Sequence, residues 1–171
     1  MPSETKFLFH IHSRFSYDSV LSPGKIVQYC LQNAFDYVAV TDHETIEGSR
    51  EVSELAAGTP LKAVIGGEYH TEAGDIIGLF LKNEVRSRQI REVLREIKEQ
   101  NGLVVLPHPF KAHNLTPEII QSCDIIETFN SRVSKEGNRK ALDLAEKYCK
   151  PALAGADVHS YKELGMASVL F

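Results

Sequence analysis

The sequence predicts an α/β domain built on a mainly parallel sheet. Three observations carry this reading. Short apolar runs alternate with amphipathic segments along the chain. A hydrophobic fraction of 43% with 25% charged residues is that of an ordinary folded domain, which excludes a disordered or fibrous chain. At 171 residues, the chain 1–171 fits a single domain whose core needs no disulfide staples.

The elements follow in order. Lys6–His12 reads as a strand. Ser22-Pro23 supplies an N-cap and a first helical position, and Ile26, Val27, Cys30, Leu31 and Ala34 form an apolar helix face. Tyr37–Thr41 is a second strand and Ser49–Ala57 a helix. Leu61–Ile65 is a third strand, ending in Gly66-Gly67, and Ile76–Leu81 is a further apolar run. Ser87–Gln100 is the clearest helix, with Ile90, Val93, Leu94 and Ile97 as its buried stripe and Gly102 as a left-handed stop. Leu103–Leu106 is a strand, and Thr116-Pro117 starts a short helix. Ile125–Phe129 is a strand and Glu136–Tyr148 a helix. Ala152–Ala154 and Ala167–Phe171 are placed to close the sheet. About seven strands in this length fit either an open doubly wound sheet or a trimmed barrel, and periodicity does not choose between them.

Charge and cysteines narrow the function classes. A net charge of −4 gives no basic field for long nucleic acid or anionic lipid. No apolar run approaches the roughly 18 residues that span a bilayer. The first dozen residues lack the basic end, apolar core and cleavage site of a secretory signal. Cys30, Cys123 and Cys149 are odd in number and widely spaced, so a disulfide framework is not expected and a reducing cytoplasm is. As a default, all three are small buried hydrophobes.

The informative residues sit at strand ends. His10 and His12 end the first strand, two apart, so both can face one metal. Asp18 follows in a loop. Asp42 and His43 end the second strand and Glu68 the third. His108 follows Leu103–Pro107, Glu127 lies near the end of Ile125–Phe129, and Asp157 and His159 follow the next run. Each has a bland reading as a cap, turn or surface residue. As a set at the carboxyl ends of strands, where α/β active sites collect, they point to metal. Imidazole and carboxylate without thiolate suit zinc, manganese or iron, and the number of donors exceeds what one catalytic zinc takes. His70 and His113 fit no ligand pattern and read as a half-buried strand residue and a loop residue. Phe15 and Tyr17 read as aromatic packing, with a place beside the pocket as the other reading.

The ordered set His10-x-His12, Asp18, Thr41-Asp42-His43, Gly67-Glu68, Pro107-His108-Pro109, Glu127 and Asp157-x-His159 resembles the polymerase and histidinol phosphatase (PHP) superfamily, over about residues 7 to 165. The resemblance implies a distorted (βα)7 barrel, a centre of two or three divalent transition metals (Mn, Zn or Fe), and hydrolysis of phosphate esters. It implies His10, His12, Glu68 and Asp157 on one metal, and Asp18, His43 and His159 on another. Glu68 would bridge to a third position near His108 and Glu127. Asp75 stands where some members carry a histidine. Asn130-Ser131-Arg132 resembles the family's Asn-x-Arg segment, which implies phosphate contact by Arg132. Arg14 and Lys111, next to the motifs, are further clamp candidates, with solvated surface charge as the other reading. His159 and His43 are candidates to pass a proton to the leaving group.

The function expected is hydrolysis of a small phosphate monoester by metal-activated water. Two alternatives stay open: metal-dependent hydrolysis of a carboxylic ester or amide, and a non-catalytic metal-binding or regulatory module.

Overall fold

A computed structural model describes residues 4–171, so the reading of the extreme N-terminus as signal-free falls partly outside the described residues. The strands are β1 (Lys6–Ile11), β2 (Tyr37–Val40), β3 (Lys62–Thr71), β4 (Gly74–Leu79), β5 (Leu103–Leu106), β6 (Ile125–Asn130), β7 (Ala152–Gly155) and β8 (Val169–Leu170). The helices are α1 (Pro23–Gln32), α2 (Glu47–Ala56), α3 (Ile90–Glu99), α4 (Pro117–Ser122) and α5 (Lys135–Lys147).

The strands form one curved sheet in the order β7-β6-β5-β4-β3-β2-β1-β8. The chain just past β7 returns to β1. The Ala156 N–H donates to the Phe9 carbonyl (3.0 Å), and the His12 N–H donates to the Val158 carbonyl (2.8 Å). These bonds settle the choice between open sheet and barrel in favour of a barrel. β8 lies antiparallel against the start of β1.

The sheet is mixed. β3 outruns its predicted end at Gly66-Gly67 and pairs antiparallel with β4 through a two-residue turn at Glu72-Ala73. So short a connection cannot make a parallel crossover, and β4 therefore runs against both neighbours. The reversal carries the start of β4, with Asp75, to the end of the barrel where the parallel strands finish.

Phe9, Ala39, Val64, Ile77, Leu79, Val105 and Leu153, drawn from six strands, fill the barrel. Outside it, Val38 and Val40 pack on Ile26, Val27, Cys30 and Val52 of α1 and α2. On the other flank, Val104, Leu106 and Ile126 pack on Val93, Ile97, Ile120 and Ala145 of α3 to α5. Ser22 and Thr116 cap α1 and α4 as expected. Leu31 and Ala34 depart from the predicted face: Leu31 is exposed, and Ala34 lies past the helix with φ 52°. Cys149 is exposed while Cys30 and Cys123 are buried. No helix is long and apolar enough to cross a membrane among the described residues.

The stop of α3 also differs from expectation. Asn101, at φ 60°, takes the left-handed position, and the Gly102 N–H donates back to the Ile97 carbonyl at 3.0 Å. Gly102 is needed for space instead. A Cβ there would sit 2.9 Å from the carbonyl oxygens of both Ile97 and Leu79. Gly102→Ala is therefore expected to destabilise by about 1–3 kcal/mol through overpacking, read as a lower urea midpoint. Asn101→Gly, which relieves a left-handed side chain, should leave the midpoint level or raise it.

Candidate active site

The metal-ligand candidates converge at one end of the barrel, and backbone irregularity brings them there. β1 carries a bulge at His10, whose φ is 61°, so one extra residue stands against Ala39 and Val40. Regular alternation would turn His10 outward with Leu8, which packs against the outer helices. The bulge re-aims it inward, beside His12. His108 (φ 28°) and Asp157 (φ 49°) also adopt left-handed backbone. Such conformations are costly for non-glycine residues and persist where surrounding packing enforces them.

His10 Nε2 lies 3.4 Å from Glu68 Oε2 and 3.7 Å from Asp157 Oδ1. His12 Nε2 lies 3.3 Å and 3.6 Å from the same oxygens. A second group joins His12, Asp18, His43 and His159, with Asp18 Oδ2 3.5 Å from His43 Nε2 and 3.1 Å from His159 Nε2. A third joins His10, Glu68 and His108, whose Nε2 is 3.1 Å from Glu68 Oε1. Glu68 lies inside β3, not at its end, and faces the barrel mouth.

Hydrogen bonds behind the ligands fix their tautomers. The Ser16 hydroxyl gives its proton to Asp42 (3.0 Å). Its oxygen is then the acceptor for His12 Nδ1–H (3.2 Å) and the His43 N–H (2.9 Å). Ser13 anchors Asp42 from the other side, its hydroxyl donating at 2.7 Å. Glu127 Oε1 accepts from His10 Nδ1–H at 2.7 Å, and Oε2 accepts from the His108 N–H (2.7 Å) and the Asn130 amide (2.9 Å). These bonds direct the Nε2 atoms of His10 and His12 inward, toward Glu68 and Asp157. Both are buried without a hydrogen-bond partner. Orphaned imidazole nitrogens facing carboxylates fit divalent zinc, manganese or iron.

The same bonds correct the expectation for Glu127. It falls in none of the ligand groups, because both of its oxygens are turned onto His10, His108 and Asn130. It orients ligands and does not join them. Ser13, Ser16 and Asn130 share this supporting work. Only Asn130 stood in a motif, since a serine behind a ligand leaves no periodic trace in a sequence.

Electrostatics match the crowding. Burial alone would lower the His10 pKa, but Glu127, Glu68 and Asp157 raise it well above its usual value. Burial, with the neighbouring imidazoles His10, His43 and His159, holds His12 well below its own, against the pull of Glu68. Burial would raise Asp157, yet His10 and His12 hold its carboxyl at about 2.

A cleft of about 240 Å³ opens above these groups. Lys111 and Arg132 both line it, with Lys111 Nζ 3.8 Å from Asp157 Oδ2 and Arg132 Nη1 2.8 Å from His159 Nδ1. Arg14 does not line it. Its guanidinium pairs with Glu51 of α2 at 3.0 Å and lies over the Phe15 ring, so the expected clamp role is corrected to a surface ion pair. Tyr17 lines the cleft, its ring stacked on His43 at 5.2 Å. His70 is exposed at the rim and not half-buried, and Asp75 reaches the cleft beside it.

Residues 9–150 match the PHP domain family and residues 135–171 the PHP-associated family. The chain belongs to the PHP domain family. Two uncharacterized proteins of Methanocaldococcus jannaschii are similar to it. One is 37% identical over 59% of this chain and 66% of its own length; the other is 32% identical over 95% and 68%. Among solved structures, a two-domain protein of Bacteroides vulgatus, described as containing a predicted PHP-like metal-dependent phosphoesterase, matches with a TM-score of 0.79. It is 20% identical, over 92% of this chain and 53% of that one. An amidohydrolase of Chromobacterium violaceum, solved with bound sulfate and no metal, matches with a TM-score of 0.73 at 16% identity, over 95% and 90%. These likenesses show a shared fold. The chain thus spans about two thirds of the curated relatives and about half of the two-domain protein.

Two outcomes are expected. Glu127→Gln, which removes the carboxylate behind His10, should weaken metal binding by roughly 10–100-fold while the circular dichroism spectrum is retained. The second concerns pH. A raised His10 pKa means that its protonated form stabilises the metal-free fold, fully below the unfolded value of 6.5 and lost as pH rises through the folded value. Metal must displace that proton. The melting-temperature gain on adding zinc or manganese should therefore grow between pH 5.5 and pH 8. The Asp157 contribution has the opposite sign and disappears only as pH falls toward about 2, outside this window.

Proposed function

We propose that this protein is a metal-dependent hydrolase acting on small phosphate monoesters. One observation carries the reading: Lys111 and Arg132 line the same small cleft as the His/Asp/Glu ligand groups. A carboxylic ester or amide needs the metal site but has no use for two added cations. A phosphoryl group with its non-bridging oxygens does. The size of the cleft favours a small phosphorylated substrate over a long polymer.

His10, His12, Asp18, His43, Glu68, His108, Asp157 and His159 would hold divalent cations, which would supply Lewis-acid charge and lower the pKa of water toward neutral pH. Glu127 and Ser16 accept from Nδ1–H of His10 and His12, which leaves Nε2 of each as the nitrogen that would hold a metal. His159 Nδ1 lies 3.0 Å from the Asp157 carbonyl and also 2.8 Å from Arg132 Nη1. One nitrogen cannot donate to the first and accept from the second. A ligating Nε2 requires Nδ1–H, directed to the carbonyl, and releases Arg132 from His159, with Glu163 Oε1, 3.7 Å from Nη1, left to hold the guanidinium at the cleft. The planar guanidinium then meets phosphoryl oxygens in a forked contact, with Lys111 adding a point charge. His159 serves as a ligand in this scheme, which leaves it no role as proton donor.

The test is a panel of phosphate monoesters, carboxylic esters and amides with protein loaded with manganese, zinc or iron, phosphate release being the readout. Turnover confined to phosphate esters and abolished by chelation is expected. Metal-loaded protein that releases no phosphate across the panel overturns the proposal, and amide or carboxylic ester turnover replaces it with the rival reading. Arg132→Ala should keep the metals and lose roughly 10²-fold or more in kcat/KM, the scale of one preorganised charge donor. Arg132→Lys should recover part of that loss.

A further inference from the structure

Of the four histidines lining the cleft, His43, His108 and His159 belong to ligand groups; His70 does not. It stands on β3 two residues beyond Glu68, on the same face of the strand, and so above the metal centre at the rim. Its cross-strand partner on β4 is Asp75. His70 Nδ1 lies 2.8 Å from Asp75 Oδ1, so the carboxylate accepts from Nδ1–H and fixes the ring. Glu44 holds the same residue from behind, accepting the His70 N–H at 2.8 Å.

The hairpin is also tied to the phosphate side. The His113 ring packs between the carbonyls of Lys111 (2.8 Å from Nδ1) and Asp75 (3.0 Å from Nε2), its single N–H donating to one of them. Gly74, at φ 115°, leaves room for that ring, since a Cβ would lie 2.3 Å from it. The separation between Lys111 and Asp75 is therefore set by one packed side chain.

The cleft has two chemically different walls. Lys111 and Arg132 suit an anion. With Nδ1 directed to Asp75 Oδ1, the His70 ring turns Nε2 to the cleft as a polar contact, and Asp75 keeps Oδ2 as an acceptor. Acceptors recognise hydroxyl and amino groups. Tyr17, the one tyrosine in the lining and 87% exposed, offers a flat apolar face nearby.

We propose that His70 and Asp75 form a leaving-group subsite that selects phosphate monoesters of hydroxyl- or amino-bearing alcohols, with Tyr17 covering the carbon skeleton. This rests on the phosphoesterase reading. A site built to pair a substrate hydroxyl discriminates strongly against the analogue that lacks it, because its own polar groups are then left unpaired.

The experiment compares glycerol 1-phosphate with propyl phosphate, which share a carbon skeleton and differ in two hydroxyls. The metal-loaded parent should favour glycerol 1-phosphate by about tenfold or more in kcat/KM. His70→Ala and Asp75→Ala, each matched to the parent in metal content and circular dichroism, should bring that ratio toward one. Binding of the two corresponding phosphonates, which are not hydrolysed, gives the same ratio without turnover. A parent with no preference, or variants that keep it, overturns the subsite. A parent that hydrolyses neither ester counts against the phosphoesterase reading, and the phosphonate ratio then decides the subsite by itself.

Discussion

Glu68 sets the central constraint. Its carboxylate is buried at the barrel mouth, with Oε2 within 3.3–3.4 Å of His10, His12 and His43 and Oε1 3.1 Å from His108. A buried carboxylate is tolerated only when paired. Burial would push its proton affinity up, but the imidazoles hold it well below the usual carboxylate range. Without a metal, a proton held on His10 offsets part of the charge of the carboxylates packed around it. Divalent cations would offset it in that proton's place, and every neighbouring element is arranged around the point where they would sit.

The fold accommodates the constraint by departing from regularity at chosen places. A bulge turns His10 inward, and left-handed backbone positions His108 and Asp157. These local distortions are sustained by a well-packed barrel interior and by apolar layers on both flanks. The reversed β4 has a functional consequence too. Because it begins where its parallel neighbours end, it brings Asp75 to the mouth. A parallel strand at that place would have brought Leu79 there.

Behind the ligand candidates, Glu127 holds Nδ1 of His10 and Ser16, itself held by Asp42, holds Nδ1 of His12. In front, the cleft separates a cationic wall from an acceptor-rich rim, and His113 fixes the distance between them. On the proposed function, ligand orientation, phosphate contact and leaving-group contact would fall to different residues, and each could be altered with the others in place.

The sequence by itself determined the strand–helix alternation and the caps at Ser22 and Thr116. It also determined the polar set at strand ends, because period, capping chemistry and residue type are local properties of a chain. His10, His12, Asp18, His43, Glu68, His108, Asp157 and His159 were legible in this way, as ligand types in ordered motifs. Tertiary structure alone decided barrel closure, the direction of β4 and the bulge at His10, since these depend on bonds between segments far apart in the chain. It alone separated Glu127 from the ligands, because the difference lies in which way two oxygens point. It alone moved Arg14 out of the site and His70 into it. A guanidinium beside a motif pairs with whatever acid the fold brings near, here Glu51. An imidazole at the rim is oriented by a strand partner, Asp75, that only antiparallel pairing supplies.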